Sequence, residues 1–310
     1  MGSMKRRFCT TESLEIDEPL AGTGNHPVRN LLISWPRSKW TRSARRASDM
    51  SDAVSGLLDR LAKQGLRVNL IDRREDREKS HRIFLMPENQ SYRVLPEQLP
   101  AFLEQLLAGA QEPGEPLNHP LLLCCTHGQK DRCCAKFGFQ AYKALAESAQ
   151  QEALPFSVWE SSHLGGCRLA ASAVVMPSMR KYGRISPEHA LPLLQSELKG
   201  RPYLPCLRGE AELSSLQQVA RIAAMEALAA TAPDAELEIL SEETLAGERE
   251  CATAWLVLRW RVGETEGFLR VKCREEELIR FDTCADVDAE EAKPARVWRA
   301  VDVADCEAPA

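Results

Sequence analysis

The 310-residue chain has no run of about 18 apolar residues, the minimum for a helix that crosses a bilayer, so no membrane span is expected. Its opening, MGSMKRRFCT, lacks the apolar stretch of a secretion leader, and Met1–Ser3 read as an expression scar before a native Met4. No G-K-[ST] completes the glycines of AGTGNHP and no strand precedes them, which excludes a phosphate loop there. An excess of positive charge is missing too. The net charge is −5, which argues against a general nucleic-acid binder. No C-x-x-C opens a helix, so thiol–disulfide exchange of the thioredoxin kind has no motif. The chain singles out no acid/base pair of carboxylates for glycoside cleavage, and it carries no exact internal repeat.

What the chain does have is cysteine, eleven in all, within an ordinary globular composition of 44% hydrophobic and 27% charged residues. With no leader to send it to an oxidising compartment, a cytoplasmic location is expected. There, clustered thiols more often serve metal or redox chemistry than disulfides. Four of them crowd into CCTHGQKDRCC, residues 124–134.

Hydrophobic spacing divides the chain into three parts. Residues 1–112 form an α/β unit, with strands NLLISW, RVNLID and RIFLMP. One helix carries Val54, Leu57, Leu58 and Leu61 before Gly65, and another opens at Pro96. The Pro- and Gly-rich stretch GAQEPGEPLNHP marks its end. Residues 113–205 run as strand LLLCC, a helix to about Ser148, strand FSVWESS, and a short helix near Cys167. A hairpin of SAVVMP and KYGRI follows, then a helix capped by Ser186 with Leu191, Leu194 and Leu198 on one face. That order is the order of a thioredoxin-like domain, and the first unit reads as a remote copy of it. Residues 206–310 make an α+β unit: a helix over 213–230 and four strands. In one strand Leu256, Leu258, Trp260 and Val262 face one side and Arg259 and Arg261 the other.

On this map Cys125 ends the first strand of the middle unit and Cys134 begins its helix. His163 ends the second strand, and Cys167 stands four residues on. Two loops at the same end of adjacent strands thus present two soft ligands each. A Cys, Cys, His, Cys set suits a tetrahedral zinc ion or a [2Fe–2S] cluster. Cysteine is also among the most buried residue types, so packing is the plain alternative. The polar residues Thr126–Asp131 between the thiols argue against it, as do Gly165 and Gly166, which let backbone approach a ligand closely. Cys133 competes with Cys134 as the ligand, Cys124 belongs to the opposite face of the strand, and His127 and Asp131 either orient the site or cap a turn. Cys9, Cys206, Cys251, Cys273, Cys284 and Cys306 are scattered and read as packing. The basic run RSKWTRSARR, 37–46, reads as a solvated loop able to steer an acidic partner.

Four motifs in order, EPLAGTGNHPVRNLLIS, CTHGQKDRCCAKFG, WESSHLGGCRLAASAVVMP and KYGRISPEHA, resemble the sucrase/ferredoxin-like family. The resemblance implies a thioredoxin-like [2Fe–2S] ferredoxin module, with two cysteines of the second motif and an H-x-x-x-H of the third as ligands. Carried onto this chain, these are Cys125, Cys134 and His163, with Cys167 where the family has its second histidine. Cys167 is still a competent ligand, so the departure bears on the potential of the cluster rather than its existence. The expectation is a [2Fe–2S] electron carrier with redox protein partners, a carrier rather than a catalyst and no sucrase. The alternatives are a structural Cys3His zinc scaffold and a thiol-based oxidoreductase.

Overall fold

The computed structural model describes residues 7–73, 79–245 and 251–308; the Met1–Ser3 scar and the Met4 start lie outside them. A short helix α1 (Cys9–Glu15), not foreseen from the sequence, leads into two α/β units of one plan. The first runs β1 (Asn30–Ser34), α2 (Asp52–Lys63), β2 (Arg67–Asp72), β3 (His81–Met86), β4 (Gln90–Val94), α3 (Leu99–Leu107). After the two-residue strand β5 (Glu115–Pro116) the second repeats it. Its elements are β6 (Leu121–Cys125), α4 (Phe139–Gln151), β7 (Ser157–Ser161), β8 (Ala173–Met176), β9 (Arg180–Tyr182) and α5 (Ala190–Leu198).

Within the units the strands lie in the order β2-β1-β3-β4 and β7-β6-β8-β9, each with one parallel pair and an antiparallel hairpin, as in thioredoxin. The corresponding strands β2 and β7 pair antiparallel, Ile71 with Ser161 and Asp72 with Glu160. The two units therefore share one ten-stranded sheet, whose edges are β5 and β10 (Leu207–Glu210). Local chemistry fits these elements. Ser51 caps α2 by accepting from the Val54 amide, and the leucines at helical spacing behind it are buried against β1 and β3. In β6 the period of two sorts the side chains: Leu122 and Cys124 join the core under α4 and α5, while Leu121, Leu123 and Cys125 face the other side of the sheet.

The remaining residues form α6 (Ser215–Leu228) and an antiparallel sheet, β11 (Glu236–Leu245), β12 (Thr253–Val262), β13 (Thr265–Arg280) and β14 (Lys293–Cys306), in sequential order. Leu256 and Leu258 are buried against α6, Trp260 is partly buried, and Val262 at the end of the strand is exposed. A six-residue helix α7 (Cys284–Ala289), also unforeseen, links β13 to β14. One expected face is out of register. A 3₁₀ turn over Pro187–His189 precedes α5, which then buries Ala190, Leu193 and Leu194 and leaves Leu198 half exposed.

Candidate metal centre

Two loops at the C-terminal ends of the parallel strands β6 and β7 build the site. β6 delivers Cys125, and the chain returns through a turn with a π-helical stretch, Cys134–Gly138, before α4. The turn lies close against the strand: a methyl group on Gly138 would stand 1.9 Å from the Cys125 carbonyl oxygen. Beyond β7, the backbone takes φ of +90° at Gly165 and +75° at Gly166, a left-handed path that glycine tolerates, and a 3₁₀ turn begins at Cys167.

These elements bring Cys125, Cys134, His163 and Cys167 together. The Cys167 Sγ is 3.5 Å from His163 Nδ1, the Cys125 thiol meets both Cys134 and His163, and the Cys134 thiol also meets Cys167. All three cysteines are buried, and His163 is half-buried. Hydrogen bonding from Cys134 holds the Cys125 and Cys167 thiols below the usual thiol range, with His163 assisting against the cost of burial. Cys134, which keeps the proton, is pushed well up. Burial pulls His163 down, but its contacts with Cys125 and Cys167 outweigh that and hold it up at about 9. These contacts favour the thiolate at Cys125 and Cys167 and the imidazolium at His163.

Neighbouring groups fix this geometry. His127 accepts the His163 amide at Nδ1 (3.1 Å), and its Nε2 donates to the Thr41 carbonyl (2.6 Å), so its tautomer is set by both bonds. Asn69 and Arg67 donate to the His163 carbonyl. Three inward-facing cations surround the pocket. Arg67 and Lys181 interact electrostatically with Cys125, and Arg208 with Cys167. Burial depresses all three, Arg208 to about 9. Lys181 donates to the Asn25 and Leu164 carbonyls, and Arg208 to Gly165, Thr23 and Ser172. The nearby buried Glu18 is already paired, to Arg168 and Arg280 at 2.7 Å each. His163 also lines a surface cleft with Arg42, Arg45, Arg67 and Lys130.

Cys133 points elsewhere. Its Sγ lies 3.4 Å from that of Cys9 and 3.2 Å from that of Cys284, and the Cys9 and Cys284 sulfurs are 3.6 Å apart. Asp131 joins them, its Oδ1 3.9 Å from the Cys9 sulfur, and all four are buried. Among the described residues, this is the one group of three or more candidate ligands whose donor atoms all lie within 4.8 Å of one another. The chain thus contains a candidate buried metal-binding cluster beside the loops that carry Cys134 and His163. Cys9 and Cys284 read as packing in the sequence, because 124 and 151 residues separate them from Cys133 and no local spacing connects them.

The sucrase/ferredoxin-like family profile matches residues 20–209, more than half of the chain. No curated protein matches the chain. Among solved structures, a wild-type thioredoxin-like [2Fe–2S] ferredoxin from Aquifex aeolicus is similar at 20% identity and a TM-score of 0.26. That alignment covers 29% of this chain and 95% of the ferredoxin. A second structure of a thioredoxin-like [2Fe–2S] ferredoxin from Aquifex aeolicus aligns at 19% identity and a TM-score of 0.28, covering 31% and 96%.

Proposed function

The chain belongs to the sucrase/ferredoxin-like family, and on that premise we propose that it is a one-electron carrier holding a [2Fe–2S] cluster on Cys125, Cys134, His163 and Cys167. The observation that carries this reading is the pocket itself. Three buried thiols and an imidazole converge from two loops, and Arg67, Lys181 and Arg208 interact electrostatically with the thiols. Three thiolates would leave the loaded site anionic, and Arg67 and Arg208 supply the opposing charge.

When bound, the cluster supplies reversible one-electron transfer. The residues of the chain do the rest. Cys125, Cys134 and Cys167 give thiolates, and the guanidinium groups of Arg67 and Arg208 place positive charge beside them, which favours the reduced, more negative state. His127, Asn69 and Arg67 hold the backbone of His163 in place. His163 is the ligand that reaches the surface, in a cleft edged by Arg42, Arg45 and Lys130, where an acidic redox partner would dock.

A second reading is a structural zinc ion on the same four residues. It is supported by the close contacts among these four side chains, which suit a single ion. Ligand variants separate the two. Anaerobically purified protein is expected to be brown and to bleach on taking up about one electron per chain. Colour should be lost in Cys125→Ala and Cys167→Ala and kept in Cys124→Ala, whose thiol lies on the other face of β6. A colourless wild type that takes up no electron overturns the carrier.

A further inference from the structure

We infer that Cys9, Cys133, Cys284 and Asp131 bind one zinc ion, which clamps the N-terminal helix and the C-terminal unit onto the loop that carries Cys134. This goes beyond the electron carrier and does not depend on it. The three sulfurs form a triangle with edges of 3.2, 3.4 and 3.6 Å. A disulfide needs about 2.05 Å between sulfurs, and three thiols would leave one unpaired. In a tetrahedral zinc site, Zn–S bonds of about 2.3 Å set the sulfurs about 3.8 Å apart and a carboxylate oxygen about 3.6 Å from each. The triangle needs to open by only a few tenths of an ångström, and Asp131 Oδ1, 3.9 Å from the Cys9 sulfur, stands at the fourth corner.

The surroundings call for a cation as well. Asp131 is buried, and its oxygens accept the Cys133 and Cys284 amides at 2.8 and 2.9 Å. Among the described residues no lysine or arginine forms an ion pair with it; the adjacent Arg132 is spent on Asp288 and the Arg7 carbonyl. A buried carboxylate among three thiols is costly without a compensating charge. Zinc would bond the carboxylate directly, and its binding releases the three thiol protons to solvent with no change of oxidation state. The loaded Cys3Asp site then carries a net charge of −2, faced by the Cys133 and Cys284 amides on Asp131 and by Arg132, which acts electrostatically on Asp131 and Cys284. Three thiols with one carboxylate suit zinc better than magnesium or calcium, which take oxygen ligands.

The fold gives the clamp a purpose. Cys9 opens α1, Cys133 precedes the turn at Cys134, and Cys284 opens α7, so one ion joins segments more than a hundred residues apart. α1 and α7 are short helices that would gain little from their own cooperativity.

The test uses the full-length protein purified without oxygen, with zinc and iron measured on the same samples. Wild type is expected to hold about one zinc per chain, with an X-ray absorption shell of three sulfurs and one oxygen. Cys284→Ser and Cys9→Ser should lose at least about nine-tenths of the zinc, with iron content unchanged, and Cys125→Ser should lose iron and keep zinc. Because a serine variant can unfold, Cys284→His is included, and it should restore zinc binding through a competent ligand. The inference is overturned by wild type that holds less than about a tenth of a zinc per chain after anaerobic incubation with zinc chloride. It is equally overturned by a Cys133–Cys284 disulfide in the protein as isolated, or by zinc that follows Cys125 instead of Cys284.

Discussion

Replacing Gly138 by alanine tests the joint on which the metal centre is built. The residue has ordinary right-handed helical angles, φ −62° and ψ −42°, so the change introduces no backbone strain of its own. The effect is steric. The new Cβ would sit 1.9 Å from the Cys125 carbonyl oxygen and 3.1 Å from the carbonyl carbon, whereas ordinary contact begins at 3.4 Å. About 1.5 Å of separation must therefore come from moving the end of β6 or the turn that carries Cys134, since both sides of the contact are backbone. Neither moves freely. The Cys125 amide donates to Ser172, Cys125 registers with Ser161 of β7, and the Cys124 thiol donates to the Gly138 carbonyl. Overpacking of this kind costs about 1–3 kcal/mol, and a backbone-on-backbone clash belongs at the upper end or above it. About 3 kcal/mol would lower the folding equilibrium more than a hundredfold and displace Cys125 from Cys134. Gly56, in the exposed middle of α2 with nothing within 4 Å of its would-be Cβ, is the control. Gly56→Ala should stabilise by about 0.5–1 kcal/mol through helix propensity alone. Urea unfolding followed by circular dichroism, with metal content measured in parallel, reads both variants. A Gly138→Ala protein as stable and as metal-rich as wild type would show that turn and strand do not touch as described.

Two further outcomes follow from buried and surface charge. His26 is held down to about 3 by burial and then by the positive Lys181 and Arg67, while its Nε2 bonds Asn30. An unfolded histidine binds its proton near 6.5, so this group leaves stability unaffected above that pH. It removes stability progressively as pH falls towards 3, by about 2 kcal/mol at pH 5. His26→Gln keeps a donor for Asn30 and should lose that part of the acid sensitivity between pH 6.5 and 5 in denaturant titrations; an unchanged difference refutes it. At the cleft beside His163, Arg42→Glu with Lys130→Glu should slow reduction by an acidic donor such as a flavodoxin. The effect should be about tenfold or more at low salt and shrink as ionic strength rises. A rate that responds equally at all salt concentrations would place the docking face elsewhere.

Much of this architecture could be read in the residues because its signals are local. The alternation of LLLCC separates Cys124 from Cys125, and the strand ends with the spacing of His163 and Cys167 lead to one pocket. The helical stripe of α2 and the one-sided pattern of β12 are equally local. What escaped the sequence lies in contacts over long separations or in charge. Asp131 looks like a turn residue until the fold brings Cys9 and Cys284 to it. β13 runs on past GFLRVKC through a stretch rich in charge, and Glu275 and Glu276 find partners in Arg296 and Arg299 of β14. The face of α5 shifted because a 3₁₀ turn took up the residues after Ser186, delaying the α-helical phase.

The most direct test of the carrier is the amount of iron and acid-labile sulfide in protein purified and assayed without oxygen. A [2Fe–2S] cluster on Cys125, Cys134, His163 and Cys167 predicts about two of each per chain, with both lost together in Cys134→Ala and retained in Cys133→Ala. Zinc bound through Cys125 and Cys134 with no sulfide in the wild type would contradict it.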